Sequence, residues 1–521
     1  MKKINKIFTR FLQKILLRIS LTLILLGYFN IKSLEAKNIK NKQKNHQNEK
    51  SIAKEHAKNN LQEANIGKKI SLEEYLQQIN SNNPAVISYN QQEEASELLK
   101  NKSKLITGFN IFSSAKSGFY QQNQAAQIFR YSQYYYQNYQ VGVSQTNNLG
   151  INSKLYYSLN KINYKDFNTS MFPNPSLASS NAQTNPIAEL SIPLWQNFLG
   201  KSTKSNRDAI IYNQETSRLN NQDLINKNNI EAEKTYWNLV IARKILNIQQ
   251  NNLKRSQAIF NYVNRKLAMN LAEKSDILQA KASVEQTSLE LEQAKNSEEY
   301  WINQFNKARY IVENQKIDTL EEIDYKEIQK LILPLQKQGN RPDTKVAETQ
   351  MKLAIANNKI EAENSKPNLS LDGYYALKGL QAGTRNALDS SFINRGAEAS
   401  VAVKFSMPVN FYSTNNIKEG ANKSISSAKN LYLYRSFSEE KDWQDIIRNF
   451  NNLQKSLQIS QKIENAQKLK IENERSLLEQ GRTTTYQILL FEQEYFRSQI
   501  KSLEIARQLL SLNAEAKSYR F

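Results

Sequence analysis

The sequence predicts an α+β chain, mainly α, in which very long helices alternate with a few two-faced strands, laid out twice over. Three observations carry that prediction. Apolar residues recur at alternating steps of three and four over long stretches, the spacing of helices that supercoil around neighbours. Other stretches of about ten residues alternate strictly, apolar then polar, as half-buried strands do. The same order of landmarks then appears a second time. Composition removes most other classes. The 521 residues include no cysteine and only two histidines, His46 and His56. Disulfides, zinc–thiolate sites and a Ser-His-Asp triad are therefore not expected. The chain reads as a non-enzyme with no cofactor and no metal. A mean hydropathy of −0.67 excludes a bundle of membrane-spanning helices.

The N-terminus comes first. Lys2, Lys3, Lys6, Arg10, Lys14 and Arg18 precede an apolar run from Ile19 to Phe29, and Ser33-Leu34-Glu35-Ala36 places a small residue before Lys37. Basic, apolar, cleavable is the order of a secretory signal peptide, expected over 1–36. The alternative is a short membrane anchor, but a spanning helix needs about 20 apolar residues. Residues 37–69 lack apolar periodicity and read as a disordered linker. The net charge of +22 is concentrated here: 1–36 and 37–70 carry +6 each, leaving +10 over the rest. With no basic stripe there, no nucleic-acid partner is expected.

The body is predicted as two units. The first covers 70–313, opening at Asn83-Pro84, with strands at about 105–194 that end in Ser191-Ile192-Pro193-Leu194 and a helical hairpin turning near Asn270. A connecting segment, 314–340, follows. The second unit, 341–521, opens at Arg341-Pro342-Asp343, has strands at about 367–409 ending in Ser406-Met407-Pro408-Val409, and turns near Gly481. Pro193 and Pro408 are 215 residues apart and Asn270 and Gly481 are 211 apart, but Pro84 and Pro342 are 258 apart. The first unit thus carries about 43 extra residues among its strands, a surplus read from the sequence spacing.

The helical seams are explicit. Leu239, Ala242, Leu246, Gln249, Leu253, Ser256, Phe260, Val263 and Leu267 keep the heptad steps, and so do Ile277, Ala280, Val284, Thr287, Leu291 and Ala294 on the returning helix. Ile488, Phe491, Tyr495, Ser498, Ser502, Ile505 and Leu509 repeat them in the second unit. A helix from Asn206 to Asn270 would run roughly 100 Å.

The strands alternate. Leu369, Leu371, Tyr375 and Leu377 oppose Ser370, Asp372, Tyr374 and Lys378; Val401, Val403 and Phe405 oppose Ser400 and Lys404. Such strands suit a half-buried soluble sheet or a transmembrane barrel, and the export signal favours the barrel. Two strands per unit cannot close a barrel, and an open edge cannot face lipid with its backbone groups unpaired. An oligomer follows from that shortfall.

Over residues 70 to 515 the chain resembles the TolC family of outer-membrane efflux proteins. The resemblance rests on Asn83-Pro84, Arg341-Pro342-Asp343, Ser191-Ile192-Pro193-Leu194, Glu231-Ala232-Glu233 with Tyr236-Trp237-Asn238-Leu239, Asn270 to Ala280, and Glu479-Gln480-Gly481-Arg482, in their twofold order. It implies a homotrimer with one shared twelve-stranded outer-membrane β-barrel and a long periplasmic coiled-coil helical barrel beneath it. The implied partners are outer-membrane lipid, a periplasmic adaptor and an inner-membrane pump, making the chain the exit duct of a tripartite efflux or type I secretion system. The alternative from another class is a secreted periplasmic coiled-coil protein or surface adhesin without a channel.

The resemblance also implies site residues. Asp276 matches the first-hairpin Asp of the family's periplasmic gate, and Arg482 lies one residue from the position of its partner Arg. Asn270 and Gly481 mark the tip turns and the implied adaptor contact. A local role competes: Asp276 with Gln279, and Thr484 with Gln487, spell helix capping boxes. The family's acidic entrance positions fall on Gln487 and Leu490, so cation preference is not implied. The extra segment of the first unit, Tyr139 to Val143 and Ile151 to Leu159 around the turn Asn147-Asn148-Leu149-Gly150, reads as an inserted hairpin. It either lengthens the outer loops or adds strands, and the first is favoured.

Overall fold

The structure is a computed structural model that describes residues 70–121, 133–165, 180–311, 319–381, 383–392 and 396–520. The expected signal peptide and linker lie outside the described residues. The chain forms two compact units. One comprises Lys104–Lys204 and Ala362–Thr414; the other comprises 70–103, Ser205–Glu361 and 415–520.

The first unit is a single antiparallel sheet. Its strands are β1 (Phe109–Gln121), β2 (Gln133–Thr146), β3 (Asn152–Lys165), β4 (Ser180–Pro193), β5 (Asn368–Leu377), β6 (Gly379–Gln381) and β7 (Ala397–Ser406). The order is β1-β2-β3-β4-β5-β7, with the short β6 continuing the line of β5 against β4. The expected start at Leu105 is corrected: Lys102–Leu105 coils into one helical turn and the strand begins at Phe109.

The favoured placement of the inserted hairpin is corrected as well. β2 and β3 are full members of the sheet, each 14 residues long and paired on both sides. Their connecting turn lies where the sheet feeds its helices. The Asn147 side chain accepts the Leu149 and Ile151 N–H groups at 2.9 and 3.0 Å, and Gly150 takes φ 78°. This turn packs against Asn197–Gly200 so closely that a Cβ on Gly200 would stand 2.0 Å from the Asn148 carbonyl oxygen. Two tyrosines fix the register: Tyr136 lies opposite Gly118, and Tyr156 opposite Gly142, each ring covering the gap left by a glycine.

The second unit is helical. Its elements are α1 (Leu72–Asn82), α2 (Pro84–Leu99), α4 (Lys201–Ala268), α5 (Lys274–Ala308), α6 (Tyr325–Lys330), α7 (Pro342–Asn364), α9 (Phe411–Glu479) and α10 (Thr485–Ala516); α3 is the Lys102–Leu105 turn and α8 (Thr384–Ser390) belongs to the sheet unit. Asn83 caps α2 by accepting the Ala85 N–H at 2.9 Å, and Pro84 occupies the first helical position, where its missing N–H costs nothing. The predicted seams are the buried lines of the helices. Leu239, Ala242, Gln249, Ser256 and Val263 are buried on α4, as are Ala280, Thr287, Leu291 and Ala294 on α5 and Ile488, Tyr495, Ser498, Ser502, Ile505 and Leu509 on α10. Small and polar seam residues bond locally, as Ser460 and Ser502 do at 2.9 Å between α9 and α10.

Three of the four tryptophans settle in helical cores. Trp443 lies tilted against Tyr519, with ring centroids 4.9 Å apart, and Trp237 and Trp301 border the cluster around Tyr75, Tyr236 and Phe305. Arg341 forks onto Asp343 at 2.9 Å, reaches Asp442 at 2.8 Å and lies over the Tyr519 ring, which ties the start of α7 to the chain's C-terminal segment.

Candidate functional site: a two-faced sheet and two hairpin tips

The register sorts the sheet into two faces. One carries Phe109, Ile111, Val141, Val143, Leu155, Leu159, Ala188, Leu190, Leu371, Tyr375, Val401, Val403 and Phe405. Many of these stand in the open: Phe109 and Val401 are each 75% exposed. The other face is polar and cross-linked between every pair of long neighbours. Ser114 bonds Gln140, Asn138 bonds Asn160, Tyr156 donates to Glu189 at 2.7 Å, Ser191 to Asp372 at 2.5 Å, and Lys404 pairs with Asp372 at 2.8 Å. A soluble sheet buries its apolar face; this one leaves the apolar face open and bonds the polar side chains to one another on the opposite face, which suits lipid on one side and water on the other. Among the described residues the outermost strands, β1 and β7, each have a neighbour on one side only.

The tips are built alike. Asn270 has φ 57° and Gly481 φ 72°, the left-handed residue that ends a helix. At the first tip Asn270 N–H donates to Leu267 O and Leu271 N–H to Lys266 O; at the second Gly481 N–H donates to Leu478 O and Arg482 N–H to Leu477 O. The returning helix begins with its N-cap three residues later in both cases, at Glu273 and Thr484. Both hairpins share one apolar cluster that includes Val263, Ala280, Ile471 and Ile488, and Tyr262 Oη donates to Leu478 O at 3.1 Å. Beside it, the buried Glu492 carboxylate is held by the Arg475 fork at 2.7 and 2.8 Å. Thr483 donates to Glu474.

The local role expected for Asp276 is present but shifted. Asp276 is the third residue of α5, not its cap, and its carboxylate accepts the Glu273 N–H at 3.2 Å. Thr484 caps α10 as the sequence predicts, accepting the Gln487 N–H at 3.2 Å. Arg482 is exposed, and within one chain no ion pair joins it to the half-buried Asp276. The sequence reading missed the apolar ends of the tips: Met269 and Leu271 are 67% and 68% exposed, and Leu278 and Tyr486 are exposed too. The signal was available, because all four stand off the heptad seam.

Among the described residues no cluster of His, Cys, Asp or Glu could hold a metal ion, and no helix is long and apolar enough to cross a membrane. No known family's sequence profile matches the chain, and no characterised protein matches it by sequence. Solved structures do match. The outer-membrane protein VceC of Vibrio cholerae superposes with a TM-score of 0.61 at 12% identity, over 86% of this chain and 96% of that one. CusC, described with transmembrane channel formation, gives 0.58 at 11% over 86% and 91%, and the MtrE outer-membrane channel of Neisseria gonorrhoeae 0.58 at 13% over 86% and 88%. The chain has the fold of the TolC-type outer-membrane channels. Within that fold the two-faced sheet and the paired hairpin tips are this chain's own candidate working parts.

Proposed function

We propose that the protein is an outer-membrane exit duct that conducts solutes passively, with its sheet in the outer membrane and its hairpins extending into the periplasm. The observation that carries this is the inverted sheet: apolar side chains exposed on one face, and a polar face bonded across every long-strand pair. Such a sheet suits lipid, and in lipid its two open edges must be closed by other copies. Three copies, two halves descended from one repeated unit, and a tunnel of coiled-coil hairpins complete the proposal. The exposed Met269, Leu271 and Tyr486 give a periplasmic adaptor an apolar contact, and an inner-membrane pump would supply the driving force. Asp276 and Arg482 of neighbouring copies would bias the tips towards closure.

The test is extraction and conductance. The protein should leave the membrane fraction only with detergent, run as a heat-labile oligomer, and open ion-conducting pores in planar bilayers. Recovery as a monomer in the detergent-free soluble fraction would instead favour a secreted coiled-coil protein.

A further inference from the structure

We propose that this chain builds a barrel of six long strands per copy, so that three copies close eighteen strands instead of twelve, with β1 of one copy pairing β7 of the next. The proposal rests on the duct reading above and concerns the size of its barrel. Four observations on the sheet carry it.

First, β2 and β3 are not a loop excursion. Each pairs along its whole length, and β2 stands between β1 and β3 with no break in register. Second, the two faces continue through the halves nearest the Asn147 turn, and only farther along do Gln137 and Lys161 enter the apolar side. Val141, Val143 and Leu155 continue the apolar face, while Asn138, Gln140 and Asn160 continue the polar one. A hairpin lying in water above a membrane has no reason to keep a lipid face. Third, length fits: 14 residues exceed the roughly 9–11 that a tilted strand needs to span the bilayer. Fourth, the edges match. Neighbouring long strands all alternate in direction across six members, so β1 and β7 run opposite ways, and a neighbour's β1 meets β7 antiparallel. Neither edge contains proline, so neither is blocked from pairing.

A second copy of the same chain is therefore the partner of each edge. Successive copies related by one rotation repeat the β7-to-β1 contact until the ring closes. Barrel diameter grows roughly linearly with strand number, so eighteen strands give a barrel about 1.5 times as wide as twelve. The strand count would then outgrow the twelve implied by the family resemblance through two added strands in the first half of each chain.

The native sequence has no cysteine, so each introduced thiol is unique. Single-cysteine variants of the full chain along β2 and β3, reconstituted in vesicles, should react with a membrane-impermeant maleimide at Gln140, Asn138 and Asn160. They should resist it at Val141, Val143 and Leu155. Cysteine at Ile111 combined in turn with cysteine at Ala399, Val401 or Val403 should oxidise, in at least one pair, to a covalent ring whose mass in detergent is three chains. Uniform labelling on both faces, or a conducting oligomer with no β1–β7 cross-link in any pair, would overturn the six-strand barrel and leave the duct reading standing. A cross-linked ring of another copy number would overturn eighteen. A cross-linked, alternately labelled ring of three that never conducts would support the barrel and sink the duct.

Discussion

Asn270 and Gly481 hold the same backbone position in two hairpins 211 residues apart: each is left-handed, and each precedes the N-cap of its returning helix by three residues. The two tips nevertheless differ in chemistry. The residue after Asn270 is the apolar Leu271, while the one after Gly481 is Arg482; the third helical residue is Asp276 at the first tip and Gln487 at the second. One turn geometry thus presents a carboxylate on one hairpin and a guanidinium on the other.

That shared geometry separates the two turn residues. A branched side chain in the left-handed region costs about 1–2 kcal/mol, whereas Asn tolerates it and Gly pays nothing. Gly481→Val should therefore speed amide exchange around Leu477–Ile488 by about 5–30-fold. Asn270→Gly should leave exchange at the first tip within about twofold. Equal exchange for Gly481→Val and wild type would show that the turn is held by its neighbours alone.

The sheet has a similar internal control. A Cβ on Gly142 would lie 2.2 Å from Tyr156 Cβ and 2.5 Å from the Leu155 carbonyl oxygen, both fixed groups. A Cβ on Gly118 would meet the Tyr136 hydroxyl at 2.6 Å, the movable end of a side chain. Gly142→Ala should thus lower the temperature at which the assembled protein dissociates in detergent, and Gly118→Ala should lower it less. The reverse ranking would mean that β2 and β3 are not in this register.

Acid should act on the helical unit through Glu215. The Arg218 guanidinium bonded to its carboxylate, aided by Lys100, holds its pKa down to about 2 despite partial burial. A carboxyl depressed on folding contributes stability that is complete above its unfolded value near 4.5 and is lost as pH falls through about 2. Glu215→Gln should cost on the order of 1–2 kcal/mol at neutral pH. Its stability should also decline less than wild type between those two pH values. Parallel acid curves would mean that the carboxylate gains nothing from its partners.

Much of this was legible in the sequence, and the misses have physical causes. The seams through Leu239, Val263 and Leu509 were readable because both partners of each contact keep the 3.5-residue period. The faces of β5 and β7 were readable because Leu371 and Val403 alternate with Asp372 and Lys404. The role of β2 and β3 was not, although their alternation was visible. Which end of the sheet receives the Asn147 turn is decided by its fit against Gly200, a contact between distant residues with no local mark. At the tip, Asp276 and Gln279 spell a capping box as well as Glu273 and Asp276 do. The left-handed Asn270 sets where α5 starts, and so which pair is used.

The gate is the last test. Asp276 already accepts a backbone N–H from Glu273, and among the described residues of its own chain no carboxylate pairs with Arg482. Any pairing between them must therefore come from a neighbouring copy, and it would use the carboxylate oxygen that Glu273 leaves free. A partly exposed pair is worth at most about 1 kcal/mol, but a symmetric ring repeats it in every copy. Asp276→Arg and Arg482→Asp should each raise closed-state conductance in planar bilayers, and the double swap should return it towards wild type. Asp276→Asn distinguishes the two roles, since an amide oxygen still accepts the Glu273 N–H while the charge is gone. If Asp276→Asn conducts like wild type and the two reversals simply add, Asp276 serves its own helix and the closed tip is held by the apolar cluster around Val263 and Ile488.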